Sequence, residues 1–127
     1  MFNLKYILCV TFLVLTSTLA VAAKPTCTSA HGGYCSYRGT VANIYVNAGD
    51  TILIYFEEAI PLSETGVAGF TISNGGAAAF KISDNPDFAK MFYSTALAAQ
   101  ASGRAVTLQM HDVQSGYLKF DRIWLAK

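Results

Sequence analysis

Charge is scarce in this chain and evenly split. Its 127 residues hold nine Lys and Arg against eight Asp and Glu, a formal net charge of +1. Without a basic run or a basic helix face, neither a nucleic acid nor an anionic membrane surface is an expected partner. Metal ligands are scarce too. Of the two histidines and three cysteines, only Cys27, His31 and Cys35 lie near one another, and a structural zinc site needs more ligands than these supply. Catalytic motifs are absent: there is no Gly-x-Ser-x-Gly elbow, no HExxH, no P-loop and no dinucleotide-binding glycine turn. His111-Asp112 with Ser94 or Ser115 is the nearest approach to a nucleophile and base, and one histidine beside an aspartate is common on surfaces. We therefore expect no metal, no cofactor and no catalysis. Long apolar runs are missing as well. The longest, Tyr6 to Leu15, has ten residues, half of what crosses a bilayer, so membrane insertion is not expected.

What that run does fit is a leader. Lys5 precedes it, and Ala20, Val21, Ala22 and Ala23 follow at the spacing of a signal-peptidase site, so residues 1–23 read as a signal peptide cut after Ala22 or Ala23. The expected location is periplasmic or extracellular. Residues 24–127 then form a single small domain. Cys27 and Cys35 survive processing, and a close pair in an exported chain reads as a disulfide. His31, beside Gly32 and Gly33, reads as a loop residue.

The rest alternates between strand and turn signals around one helix. Thr40–Val46 and Thr51–Phe56 are rich in β-branched and aromatic residues and are joined across Asn47-Ala48-Gly49-Asp50, where Gly49 is suited to a positive φ. Leu62–Gly66 reads as a loop. Val67–Ser73 and Ala77–Ser83 read as a hairpin about Asn74-Gly75-Gly76. Glu57 and Glu58, adjacent on a strand, face opposite ways and read as solvated or edge residues rather than an acid pair. Asn85, Pro86 and Asp87 open a helix that Gly103 ends. Phe88, Met91, Phe92, Thr95, Ala99 and Ser102 mark its expected apolar face. Arg104–Met110 and Tyr117–Leu125 read as strands flanking a loop at His111–Gly116.

The run Phe92-Tyr93-Ser94, Ala98-Ala99 and Ala101-Ser102-Gly103-Arg104-Ala105-Val106, followed by Gly116-Tyr117-Leu118-Lys119 and Ile123, resembles the C-terminal signature of small exported bacterial proteins of uncharacterised function. More distantly its layout is similar to the receptor-binding B subunits of subtilase-type and typhoid-type toxins. Where those proteins carry a Gly-Gly-Tyr-Pro turn preceded by a cysteine, this chain has Ser115-Gly116-Tyr117-Leu118 and His111-Asp112. The resemblance covers about the last forty residues. It implies an α+β, mainly β fold: a small OB-like barrel of five to six strands with one long helix packed on or across it. It also implies a ring-forming homo-oligomer. We therefore expect a secreted or periplasmic binding protein without its own catalysis, in the form of a glycan-binding, toxin-B-like subunit. The alternative is an envelope or secreted protein that binds or inhibits another protein. Tyr34, Tyr37 and Tyr117, beside glycines or loops, are the candidate ligand-binding residues, whereas Tyr45, Tyr55 and Trp124 read as sheet packing.

Overall fold

The computed structural model describes residues 19–127. The charged start and apolar run of the leader lie outside them. The chain builds β1 (Thr26–Thr28), β2 (Tyr34–Gly39), β3 (Asn43–Asn47), β4 (Thr51–Tyr55), β5 (Ala77–Lys81), α1 (Pro86–Ser102), β6 (Val106–Gln114) and β7 (Tyr117–Leu125). The fold is mainly β. All seven strands join one sheet in the order β1-β2-β6-β7-β5-β4-β3. Only β5 and β7 run parallel, because α1 intervenes between β5 and β6 and returns the chain across the sheet. Among the described residues no helix is long and apolar enough to cross a membrane.

The strand count exceeds the expected five to six because the segment before Gly39 is itself paired. Cys35, Tyr37 and Gly39 face inward while Tyr34, Ser36 and Arg38 alternate with them. Cys27 and Cys35 sit directly opposite each other on β1 and β2 and are disulfide-bonded. The sheet's terminal strands, β1 and β3, do not pair with each other, so its hydrogen bonding is open. Its two ends are nonetheless close along the chain. β2, paired to β6, leads to β3, paired to β4, through only Thr40-Val41-Ala42.

Side chains hold that bend. The Tyr37 hydroxyl donates to the Thr40 carbonyl at 2.6 Å and accepts from the Glu57 amide at 3.1 Å. The Glu57 carboxylate in turn accepts from the Thr40 amide and hydroxyl, both at 2.7 Å, and from the Ala23 amide at 2.7 Å. These bonds hold the Glu57 carboxyl below the usual carboxylate range, the Ala23 amide contributing most. A similar tie closes the β3–β4 turn. Asp50, not Gly49, takes the left-handed conformation there, at φ 74°, and its carboxylate accepts from the Ser83 hydroxyl and amide, which lowers its pKa.

Helix α1 has the ends its sequence announces. The Asn85 side chain accepts from the Phe88 amide at 3.0 Å, and Gly103 stops the helix at φ 66°. Its buried face is turned slightly from the expected one. Ala89, Phe92, Ala96 and Ala99 are buried, while Met91 is 66% exposed. Phe92 lies over Phe120 with ring centroids 3.7 Å apart, and Phe120 stacks on Phe80 at 5.4 Å. Phe88 meets Phe80 edge-on at 5.0 Å. The alanines that follow let the second half of the helix approach the sheet closely.

One strand assignment and one loop assignment fail. Residues 67–73 form no strand: Leu62–Ala68 is a 3-10 turn ended by Gly69 at φ 80°, with the buried Thr65 hydroxyl donating to the Leu62 and Phe70 carbonyls. Asn74-Gly75-Gly76 is therefore no hairpin tip. Its glycines allow a close approach, since a Cβ on Gly75 would collide with the Ile60 carbonyl. Conversely, His111–Gln114 extends β6 instead of looping. The polar residues pair with β7 around two bulges, and Ser115-Gly116 makes the turn with φ of 51° and 82°.

Two expectations test this packing. Phe120→Ala removes the ring on which Phe80 and Phe92 stack and should cost about 3–5 kcal/mol in urea unfolding. The second concerns acid. Because Glu57 and Asp50 have lower pKa values folded than unfolded, the unfolded chain takes up their protons first. Their stabilisation is thus complete above the unfolded carboxyl pKa of about 4 and is lost as pH falls through the folded values. Urea midpoints should drop on acidification, and more shallowly in Glu57→Gln.

Candidate functional site

Strand alternation decides which side chains face away from the helix. On β4, Ile52 and Ile54 enter the main core, whereas Leu53 and Tyr55 point outward. On β5, Ala78 and Phe80 go in, and Ala77 and Ala79 go out. On β7, Leu118 and Phe120 go in, leaving Tyr117 and Lys119 outside. Leu53, Ala77 and Ala79 form a second, smaller buried cluster against which Tyr55 and Tyr117 pack while remaining partly exposed.

Register brings these residues into rows. Tyr55 pairs with Ala77, and the neighbouring Ala78–Leu118 pair sets Tyr117 on the other side of Ala77. The two tyrosines thus flank the smallest side chain on the face, with backbones about 9–10 Å apart at two strand spacings. One row along, Tyr45, Leu53, Ala79, Lys119 and Asp112 run in line across β3, β4, β5, β7 and β6. Tyr45 is 45% exposed. Gln114, opposite Tyr117, holds a buried side-chain oxygen with no hydrogen-bond partner. The result is a tyrosine platform with a floor of small residues and polar groups at its margin. It can stack on a flat apolar ring face and hydrogen-bond that ring's edge.

The three tyrosines expected to bind are not brought together. Tyr117 belongs to the platform. Tyr34 stacks on His111 at 5.4 Å, two strands away on β2. Tyr37 has no exposed surface: its ring packs on Phe56 at 4.8 Å, and burial pushes its hydroxyl up to about 12. No ring face of Tyr37 is open to a ligand, so, contrary to expectation, Tyr37 is a core residue that holds the β2–β3 bend. The platform's other two members, Tyr55 and Tyr45, were legible only as aromatics in strands, since nothing in the local pattern distinguishes the outer face from the core.

The remaining polar groups are mutually engaged. His111 and Asp121 are bulge residues bonded through Nδ1 and Oδ1 at 2.9 Å, and Lys119 pairs with Asp84 at 3.0 Å. His111, Asp112, Lys119 and Asp121 line a polar hollow of about 290 Å³. The Ser94 hydroxyl donates to the Lys90 carbonyl on α1, and Ser115 sits in the β6–β7 turn. His31 lies in an exposed turn at φ 51°, and its two neighbouring sulfurs are joined to each other. An apolar groove of about 270 Å³ between α1 and the β3–β4 ribbon is lined by Val46, Ile52, Ile82, Ala89, Lys90 and Tyr93.

No family model, curated protein or solved structure matches the chain. Tyr37→Phe tests the reassignment of that residue. It strips the Thr40 carbonyl of its donor and the Glu57 amide of its acceptor, so urea unfolding should register a loss of about 1–3 kcal/mol.

Proposed function

We propose that this is an exported, non-catalytic recognition module that holds a saccharide on the outer face of β4, β5 and β7. The observation that carries this reading is the pair Tyr55 and Tyr117 flanking Ala77 on central strands, with Tyr45 at one margin and Lys119 at the other. Sugar rings present C–H faces that stack on phenols and hydroxyl edges that bond to polar neighbours. The near-zero net charge suits a neutral ligand. The disulfide suits an oxidising compartment, and with the sequence of residues 1–23 it supports export.

In this proposal the sheet is an OB-like barrel in a single domain, with β2 and β3 the two halves of one bent strand. The three-residue bend, the parallel β5–β7 pair and the placement of α1 between β5 and β6 support it. Barrels of that kind bind oligosaccharides on this same strand face. The C-terminal resemblance to toxin B subunits points the same way. A protein partner is the second reading, favoured by the apolar groove and by Met91, Leu97 and Val46, which are 66%, 40% and 47% exposed beside it or on the same helix.

Glycan-array screening of the oxidised protein, followed by titration of the hits, tests the first reading. Tyr55→Ala and Tyr117→Ala should each weaken binding about fivefold or more while Tyr34→Ala leaves it within twofold, since one stacked ring contributes about 1–3 kcal/mol. A folded sample that binds no glycan would overturn it.

A further inference from the structure

The described chain changes character at one peptide bond. Leu19 and Val21 are 92% and 89% exposed, and Ala22 is exposed too. From Ala23 onward the chain is part of the fold. The Ala23 amide donates to Glu57 Oε2 at 2.7 Å, its carbonyl accepts from the Glu58 amide at 2.9 Å, and its side chain packs on the core. A Cβ built on Gly39 would lie 2.7 Å from the Ala23 methyl, so the two segments are in close contact. Beyond it, Lys24 pairs with Glu64 at 3.1 Å and Pro25 is fully buried. Cleavage after Ala22 leaves every one of these contacts in place and puts the new N-terminus at Glu57. Cleavage after Ala23 would remove the residue that supplies the bonds to Glu57 and Glu58 and the methyl against Gly39.

Glu57 is the second observation. Its carboxylate accepts three hydrogen bonds, all from uncharged donors, and among the described residues it has no lysine, arginine or histidine partner within ion-pair distance. One of those donors is the nitrogen that cleavage after Ala22 would release. We infer that signal peptidase cuts between Ala22 and Ala23, and that the new α-ammonium of Ala23 forms an ion pair with Glu57 that locks the processed N-terminus onto the β2–β3 bend. In this step water adds across the Ala22–Ala23 amide. The C–N bond breaks, the hydroxyl oxygen stays on the Ala22 carbonyl carbon, which ends as a carboxylate, and both protons of the water go to the departing nitrogen, which ends as an ammonium. That nitrogen, protonated at neutral pH, already sits 2.7 Å from the carboxylate, so a hydrogen bond from an uncharged amide becomes an ion pair without movement.

The inference rests on the export reading, and one experiment separates the two. The full chain is expressed in a bacterial host, and the N-terminus of the purified protein is sequenced. Ala23 as first residue is the expected result. An exported protein beginning at Lys24 or elsewhere overturns the inference alone, and a retained chain that keeps its leader overturns both. Selective acetylation of the α-amine then probes the ion pair. Acetylation should lower the melting temperature of the wild type by about 2–6 °C and that of Glu57→Gln by less than half as much. Equal shifts in the two would overturn the pairing.

Discussion

The three residues between β2 and β3 set the geometry of everything else. The chain stops pairing with β6 at Gly39 and begins pairing with β4 at Asn43, so Thr40–Ala42 carry one strand's direction from one end of the sheet to the other. A bend this tight leaves backbone groups without ladder partners, and two side chains supply them. The buried Tyr37 hydroxyl serves the Thr40 carbonyl and the Glu57 amide, and the Glu57 carboxylate serves the Thr40 amide. Each such bond contributes about 0.5–1.5 kcal/mol. Tyr37 also packs on Phe56, so the same residue that closes the polar accounting of the bend begins the apolar core beneath it.

From that corner the helix and the sheet divide the apolar residues between two clusters. The inner cluster takes the phenylalanines, because α1 presents Phe88 and Phe92 to Phe80 and Phe120 and then only alanines. The outer one takes Leu53, Ala77 and Ala79 under Tyr55 and Tyr117. β4 and β5 are therefore packed on both faces, which is what their nearly continuous apolar runs, Ile52-Leu53-Ile54 and Ala77–Phe80, reflect. A strand packed on both faces is hard to deform, so Tyr55 on β4, and Tyr117 packed on the same outer cluster from β7, are held in place before any ligand arrives.

Legibility in the sequence follows from how local each determinant is. The helix ends are decided by Asn85, Pro86 and Gly103 within a few residues of where they act, and both were readable. The disulfide was readable for the same reason, as two cysteines at a short spacing. What pairs at long range was not. Asp112 and Gln114 look like loop residues and are strand residues because β7 lies beside them. Ala68, Phe70 and Ile72 alternate like a strand, yet Gly69 turns left-handed and Thr65 ties the segment into a 3-10 turn. Choosing Tyr55 over Tyr37 as the exposed ring required the register, since Tyr37 read as a residue beside loops and only its pairing within β2 turns it inward. Glu57 read as solvated. It is exposed, but its three bonds came from residues 17 and 34 positions away.

The same placement bears on what kind of recognition the outer face favours. Ordering flexible side chains on binding costs about 0.5–1.5 kcal/mol each, whereas a tyrosine already packed at its base has little freedom left to lose. Tyr55 and Tyr117 rest on a buried cluster, while Met91 and Leu97 stand exposed on the helix. A ligand small enough to lie between two strands' worth of backbone can use the first pair with almost no reorganisation. A protein covering the helix would have to order long side chains and gain its affinity from area. Rigidity, more than the number of aromatic residues, is therefore why the tyrosine platform is the stronger candidate for binding a small, neutral, ring-shaped ligand.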